Sequence, residues 1–333
     1  MCVLFLLCFT LKGDSPVESL ARPINGVIIS CQTYGREWAS PGFAQELTDL
    51  KKLGVNTVSI HPYAGLARDG QVRTYDKGVP DFVTLPQATS RQAGMRFVMK
   101  PHLAYWRSGF SWRGEIRFSG EDLKRFQNSY RSFIFALAEA SPDVDYFIIG
   151  TEIEQLTGTE HRAYWLDLIN GVRQRTQAKI GYGANWDRLD WVSFWDAVDF
   201  IGVQAYFPVS EHANPQRADL EAGWDRILEQ VDNFRTRYRR PVLFTELGYN
   251  CSVDAAREPW TYHESWGDKR PAAEALQALC YDVALSKIQK HGDGLWGCLL
   301  WKWFVGDGRG ENFLLNTPTI RQVIQKNWAE PHP

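Results

Sequence analysis

A chain of 333 residues can bury a large core as one α/β barrel or as two smaller domains. Its formal charge is −2 and it has no long basic run, which argues against nucleic acid as a partner. The 14 Trp are a large share of its 45 aromatic residues, and several stand in polar company: Trp106, Trp112, Trp186, Trp260 and Trp266. Rigid aromatic faces outside apolar runs suit stacking on sugar rings.

The chain opens on an apolar run, CVLFLLCFTL, too short to span a membrane as a helix. Residues 1–22 read as a leader segment, with no Lys or Arg ahead of the run and no clear cleavage site behind it. That implies a secreted or periplasmic protein with an atypical leader. Cys31, Cys251, Cys280 and Cys298 show no C-x-x-C spacing, which argues against zinc and leaves room for one disulfide of unspecified pairing.

From residue 23 onward one catalytic domain is expected. A first buried strand covers 26–31, and a helix over 43–53 closes on Gly54. The strand over 56–60 ends at His61-Pro62, where proline stops the ladder and a polar loop runs to about residue 80. After a helix over 85–93, the strand FVMK (97–100) ends the same way at Pro101-His102. A loop rich in aromatic residues and arginine follows, then a helix over 120–139. YFIIGTE (146–152) is a continuous apolar run that delivers a carboxylate, as expected of a strand buried on both faces of a parallel sheet.

The alternation continues with a helix over 160–174, strands over 179–184 and 199–206, and a helix over 220–238. VLFTE (242–246) repeats the strand-to-acid pattern. A helix over 272–291, a strand over 294–303 and a helix over 319–328 complete the chain. This is the register and size of a single (β/α)8 TIM barrel. No G-x-G-x-x-G follows any strand, so a doubly wound sheet lacks support.

Active sites of such barrels lie at the C-terminal strand ends. Here those ends carry Cys31, His61, His102, Glu152, Asn185, Tyr206, Glu246 and Trp301 or Trp303. A buried acid is costly unless it is paired or does chemistry, and two strands each end on Thr-Glu. Two carboxylates across a barrel mouth can cleave a glycosidic bond, with no need of metal or cofactor. A separation of about 5–5.5 Å would give retention and about 6.5–9.5 Å inversion.

Several motifs sharpen this: KPH at 100–102, WRGEI at 112–116, GTE at 150–152, FTELGY at 244–249 and WKW at 301–303. Together they resemble glycoside hydrolase family 113, within the superfamily of retaining (β/α)8 glycosidases with acids on strands four and seven. The resemblance implies a β-1,4-mannanase acting on mannan or glucomannan, with Glu152 as acid/base and Glu246 as nucleophile. It implies a polysaccharide or oligosaccharide as the partner, and a monomer is expected. The superfamily often places Asn before the acid/base to bind the sugar 2-hydroxyl; Thr151 stands there instead, and Asn185 is the substitute.

Other roles follow from physical requirement. Tyr206 is placed to hold the nucleophile, and Trp301 or Trp303, alternating with Lys302 and so sharing a face, to floor a sugar subsite. Trp112 and Arg113 could contact a neighbouring sugar. Lys100 and His102 either bind hydroxyls or, for the lysine, pair with a carboxylate; His61 completes the substrate-binding set. Glu154 reads as a structural first-turn acid. The rival readings are the same chemistry on β-glucan or xylan, and a non-catalytic carbohydrate-binding barrel.

Overall fold

The computed structural model describes residue 20 and residues 22–329, apart from 74, 76, 213 and 293. The leader expected over residues 1–22 lies almost wholly outside them. Eight parallel strands close into a barrel: β1 (Ile24–Ser30), β2 (Thr57–Ile60), β4 (Arg96–Met99), β6 (Tyr146–Thr151), β7 (Lys179–Asn185), β8 (Phe200–Ala205), β9 (Val242–Leu247) and β10 (Leu295–Phe304), which pairs back onto β1. The apolar runs end up where their composition demands, with helices outside and side chains packed within. Nearly every strand residue is buried.

Among the described residues seven helices surround the barrel: α1 (Pro41–Lys52), α2 (Asp81–Gln92), α3 (Gly120–Glu139), α4 (Arg162–Arg173), α5 (Arg217–Tyr238), α6 (Arg270–His291) and α7 (Pro318–Trp328). Between β7 and β8 the described residues form only a short 3-10 turn, Leu189–Trp191. Aromatic side chains take the place of the missing helix face. Phe194 stacks on Trp165 of α4 with ring centroids 4.8 Å apart, and Trp195 packs edge-on against Phe234 of α5. No described helix is long and apolar enough to cross a membrane.

Pro62 and Pro101 stop β2 and β4 as their missing N–H groups require. Pairing nevertheless resumes beyond them, in place of the expected open loop, as a two-stranded parallel sheet of β3 (Tyr63–Gly65) and β5 (His102–Ala104). Cys31, Cys251, Cys280 and Cys298 are all free thiols.

Two cores flank the strands. One lies between barrel and helices; the other fills the barrel interior with Ile24, Ile28, Val98, Ile148, Leu243 and Leu299 and rises to Tyr206, Trp301 and Phe313. Strict alternation is broken near the C-terminal ends of three strands. Ile148 and Thr151 of β6 face Gly181 and Gly183, Phe244 and Glu246 of β9 face Val203 and Gln204, and Leu300 and Trp303 of β10 face Val27 and Ile29. Each strand thus carries one extra residue, a β-bulge, which re-aims whatever follows it.

Candidate active site

Leu243 points into the barrel, so an even ladder would turn Glu246 outward; the bulge after Phe244 turns it into the mouth. There its carboxylate is 3 % exposed and held from two sides. Lys100 Nζ donates to Oε1 at 2.5 Å, and the Tyr206 hydroxyl donates to Oε2 at 2.6 Å. Burial alone raises a carboxyl pKa, and Lys100, with His102 and Arg113 beside it, together more than offset it, holding Glu246 well below the usual carboxylate range.

Lys100 is fully buried, and burial lowers its pKa against the pull of Glu246. Its ammonium has three protons and three acceptors: Glu246 Oε1, His102 Nε2 at 2.6 Å and Thr151 Oγ1 at 3.4 Å. Accepting at Nε2 leaves the neutral His102 ring its proton on Nδ1. Burial, then Lys100, also hold His61 uncharged, with its pKa pushed down to about 3. His61 bonds Ser30 Oγ at 2.9 Å and stacks on His102. Lys100, His102 and His61 therefore stand behind Glu246 and not on the cleft wall.

Glu152 follows Gly150-Thr151. A Cβ at Gly150 would meet the Tyr182 ring at 2.8 Å, so only glycine lets β6 pass this close to its neighbours. Glu152 itself adopts φ 52°, a left-handed conformation uncommon for a residue with a side chain. Its N–H donates to Gly183 O at 2.8 Å, and the following Ile153 N–H donates to the Tyr182 hydroxyl. These bonds fix the turn that presents the Glu152 carboxylate, which accepts from Arg113 Nη2 at 2.7 Å. Burial opposes the Arg113 charge, and Glu152 and Glu246, with Tyr63 and Tyr262, together more than offset it, so the guanidinium pKa rises above its ordinary value.

The two carboxylates line one cleft of about 520 Å³, together with Arg113, Trp112, Asn185, Tyr206 and Trp301. Seven of the residues expected from sequence are thus brought together. Trp303 is not among them. The bulge after Leu300 gives Trp301 the interior and Trp303 the exterior, where its indole donates to Glu46 of α1 at 2.7 Å. The shared face expected for the two tryptophans presumed an unbroken ladder; the Trp301–Lys302 peptide is cis. Thr151, which lacks the amide of the superfamily pattern, serves as an acceptor for Lys100.

Sequence reasoning did not assign Tyr105, Trp186, Asp187, Trp260, Tyr262 or Phe313 to the site, yet all line the cleft. Trp186 and Trp260 stack with centroids 6.1 Å apart and form one wall. Their polar sequence neighbours were the available signal. Tyr262 and Phe313 come from the loops after β9 and β10, whose paths no local pattern gives. Among the described residues no cluster of His, Cys, Asp and Glu is placed to hold a metal ion.

The profile of Glycoside Hydrolase Family 113 matches residues 30–308. Among solved structures, a family 113 β-1,4-mannanase superimposes with a TM-score of 0.77 at 18% identity, covering 93% of this chain and 100% of its own. The family 113 β-mannanase of Alicyclobacillus acidocaldarius gives 0.76 at 20% identity, covering 92% and 97%. A family 5 mannosidase of Rhizomucor miehei gives 0.60 at 12% identity, covering 92% and 93%. At these identities the superpositions speak for the barrel alone. No functionally curated protein matches the sequence.

Proposed function

The chain belongs to glycoside hydrolase family 113, and on that footing we propose that it cleaves β-1,4-mannosidic bonds of mannan or glucomannan with retention. In this reading Glu246 attacks the anomeric carbon while Glu152 protonates the departing glycosidic oxygen. Glu152 then takes a proton from water, and the hydroxide so formed releases the sugar from Glu246. The observation that carries the reading is the Glu246 carboxylate, kept ionised by Lys100 and oriented by Tyr206 at the floor of a cleft that also holds Glu152. The structural relatives that are family 113 β-mannanases support the choice of sugar.

The decisive experiment is hydrolysis of β-mannan, glucomannan, β-glucan and xylan, with the product anomer followed by NMR. Cleavage of mannan with retention is expected; a preference for glucan or xylan would replace the substrate, and inversion would replace the mechanism. Binding of a glycan without any cleavage would favour a carbohydrate-binding barrel. Glu246→Ala should abolish turnover. Glu152→Ala should cost about 10²–10⁴-fold on the polymer, and much less on an aryl mannoside whose leaving group needs no proton. An equal loss on both substrates would deny Glu152 its acid role.

A further inference from the structure

Tyr262 does not belong to the cleft alone. That side chain also lines a second groove of about 690 Å³, formed by the loops after β9 and β10. We propose that this groove is a distal glycan-binding site, with Trp266 as its stacking platform, which takes the polysaccharide chain as it leaves the cleft. The inference rests on the reading of the protein as a β-mannan hydrolase and extends it to how much of the polymer is held.

Trp266 is 71% exposed, unusual for the largest apolar side chain, and it is not loose. The Arg270 guanidinium lies 4.9 Å from its ring, and Arg270 is pinned by Glu264 and Glu274, each at 2.7 Å. The residue before it, Ser265, is tied at both its backbone and its hydroxyl: its N–H donates to Cys251 O, and its Oγ accepts from Val253 N–H. One ring face is thus covered by a cation, and the exposure belongs to the rest. Such a fixed, half-covered indole is what pyranose stacking requires, because the platform is ordered before the sugar arrives.

The rest of the lining selects the ligand class. Arg270 is shared by Glu264 and Glu274, Asp307 pairs with Arg309 at 3.2 Å, and Glu311 pairs with Lys302 at 3.2 Å, which leaves one negative charge over. A groove rich in hydrogen-bonding groups, in which every one of these carboxylates has a cation partner and the small residue of charge is negative, suits a neutral, hydroxyl-rich chain and not an anionic one. Because Tyr262 borders both cleft and groove, the chain we assign to the groove is the substrate itself. Tyr262 sits edge-on to Phe313, with centroids 5.8 Å apart, so the junction between cleft and groove is itself packed.

The test compares the full-length protein with its Trp266→Ala and Trp266→Phe variants on a ladder of β-1,4-mannooligosaccharides from the shortest cleaved upward. For the wild type, kcat/KM should climb with chain length beyond what the cleft alone holds. Trp266→Ala should lose roughly three- to tenfold on the longest substrates and nothing on the shortest, and Trp266→Phe should recover most of the loss. Equal losses at every length would mark Trp266 as structural and overturn the proposal. So would an unchanged length profile, or a wild type indifferent to length. A wild type that cleaves no β-mannoside would instead overturn the assigned function, and this groove with it.

Discussion

Glu154 lies two residues beyond Glu152 and lives in opposite surroundings. It is 2% exposed, Oε1 accepts from the Asn185 N–H at 3.1 Å, and Oε2 has no partner. Burial first, and the neighbouring Glu152 second, push its pKa up to about 8. The sign of the consequence follows from linkage. A carboxyl that holds its proton more tightly when folded stabilises the fold below its unfolded pKa of about 4.3, and that stability drains away as pH climbs to about 8. Glu154→Gln keeps the acceptor for Asn185 and removes the titration. Thermal melts should therefore coincide with wild type near about pH 5 and lie above it near about pH 8.5. Curves that stay parallel across this range would show that Glu154 is not the group that titrates.

At the scale of elements, bulges decide what the cleft contains. The apolar runs of β6 and β9 and the acids that end them can be read from the chain, because burial on both faces leaves no room for polar residues. Which way a side chain then points cannot be counted in twos. Glu246 faces inward and Trp303 outward because one extra residue precedes each, and an extra residue has no sequence signature of its own. The cleft walls were harder still: Trp260, Tyr262 and Phe313 arrive on loops positioned by packing between distant segments. The β7–β8 connection shows the same dependence, since its anchors replace a helix. Trp195 is fully buried there, whereas Trp191 is 43% exposed. Trp195→Ala should cost about 3–5 kcal/mol and Trp191→Ala within about 0.5 kcal/mol, both read from denaturant unfolding. Similar values for the two would mean that the aromatic anchors do not substitute for the helix.

For the whole molecule, charge is nearly balanced at −2, and the cleft repeats that balance locally. Glu246 is matched by Lys100 and Glu152 by Arg113. A neutral glycan approaching such a site gains no long-range steering, and salt has little to screen. Initial rates on mannan should accordingly change less than about twofold between roughly 0.05 and 0.5 M salt. A steep decline would show that the charge pairs of the cleft are not balanced and that salt acts on the site itself.

The composition of the cleft wall has a bearing on how this protein can be labelled. Among the described residues, no cysteine, lysine or histidine lines the cleft; Lys100, the nearest amine, is sealed behind Glu246 with all three protons engaged. Thiol- and amine-directed reagents will pass through without reacting. A sugar-shaped epoxide or other carbon electrophile finds carboxylates and hydroxyls as its nucleophiles, and of the acids Glu246 is the one held as an anion by a buried ammonium. Covalent capture of this enzyme from a mixture is therefore a matter of esterifying one side chain, and the ester would report which glutamate took part.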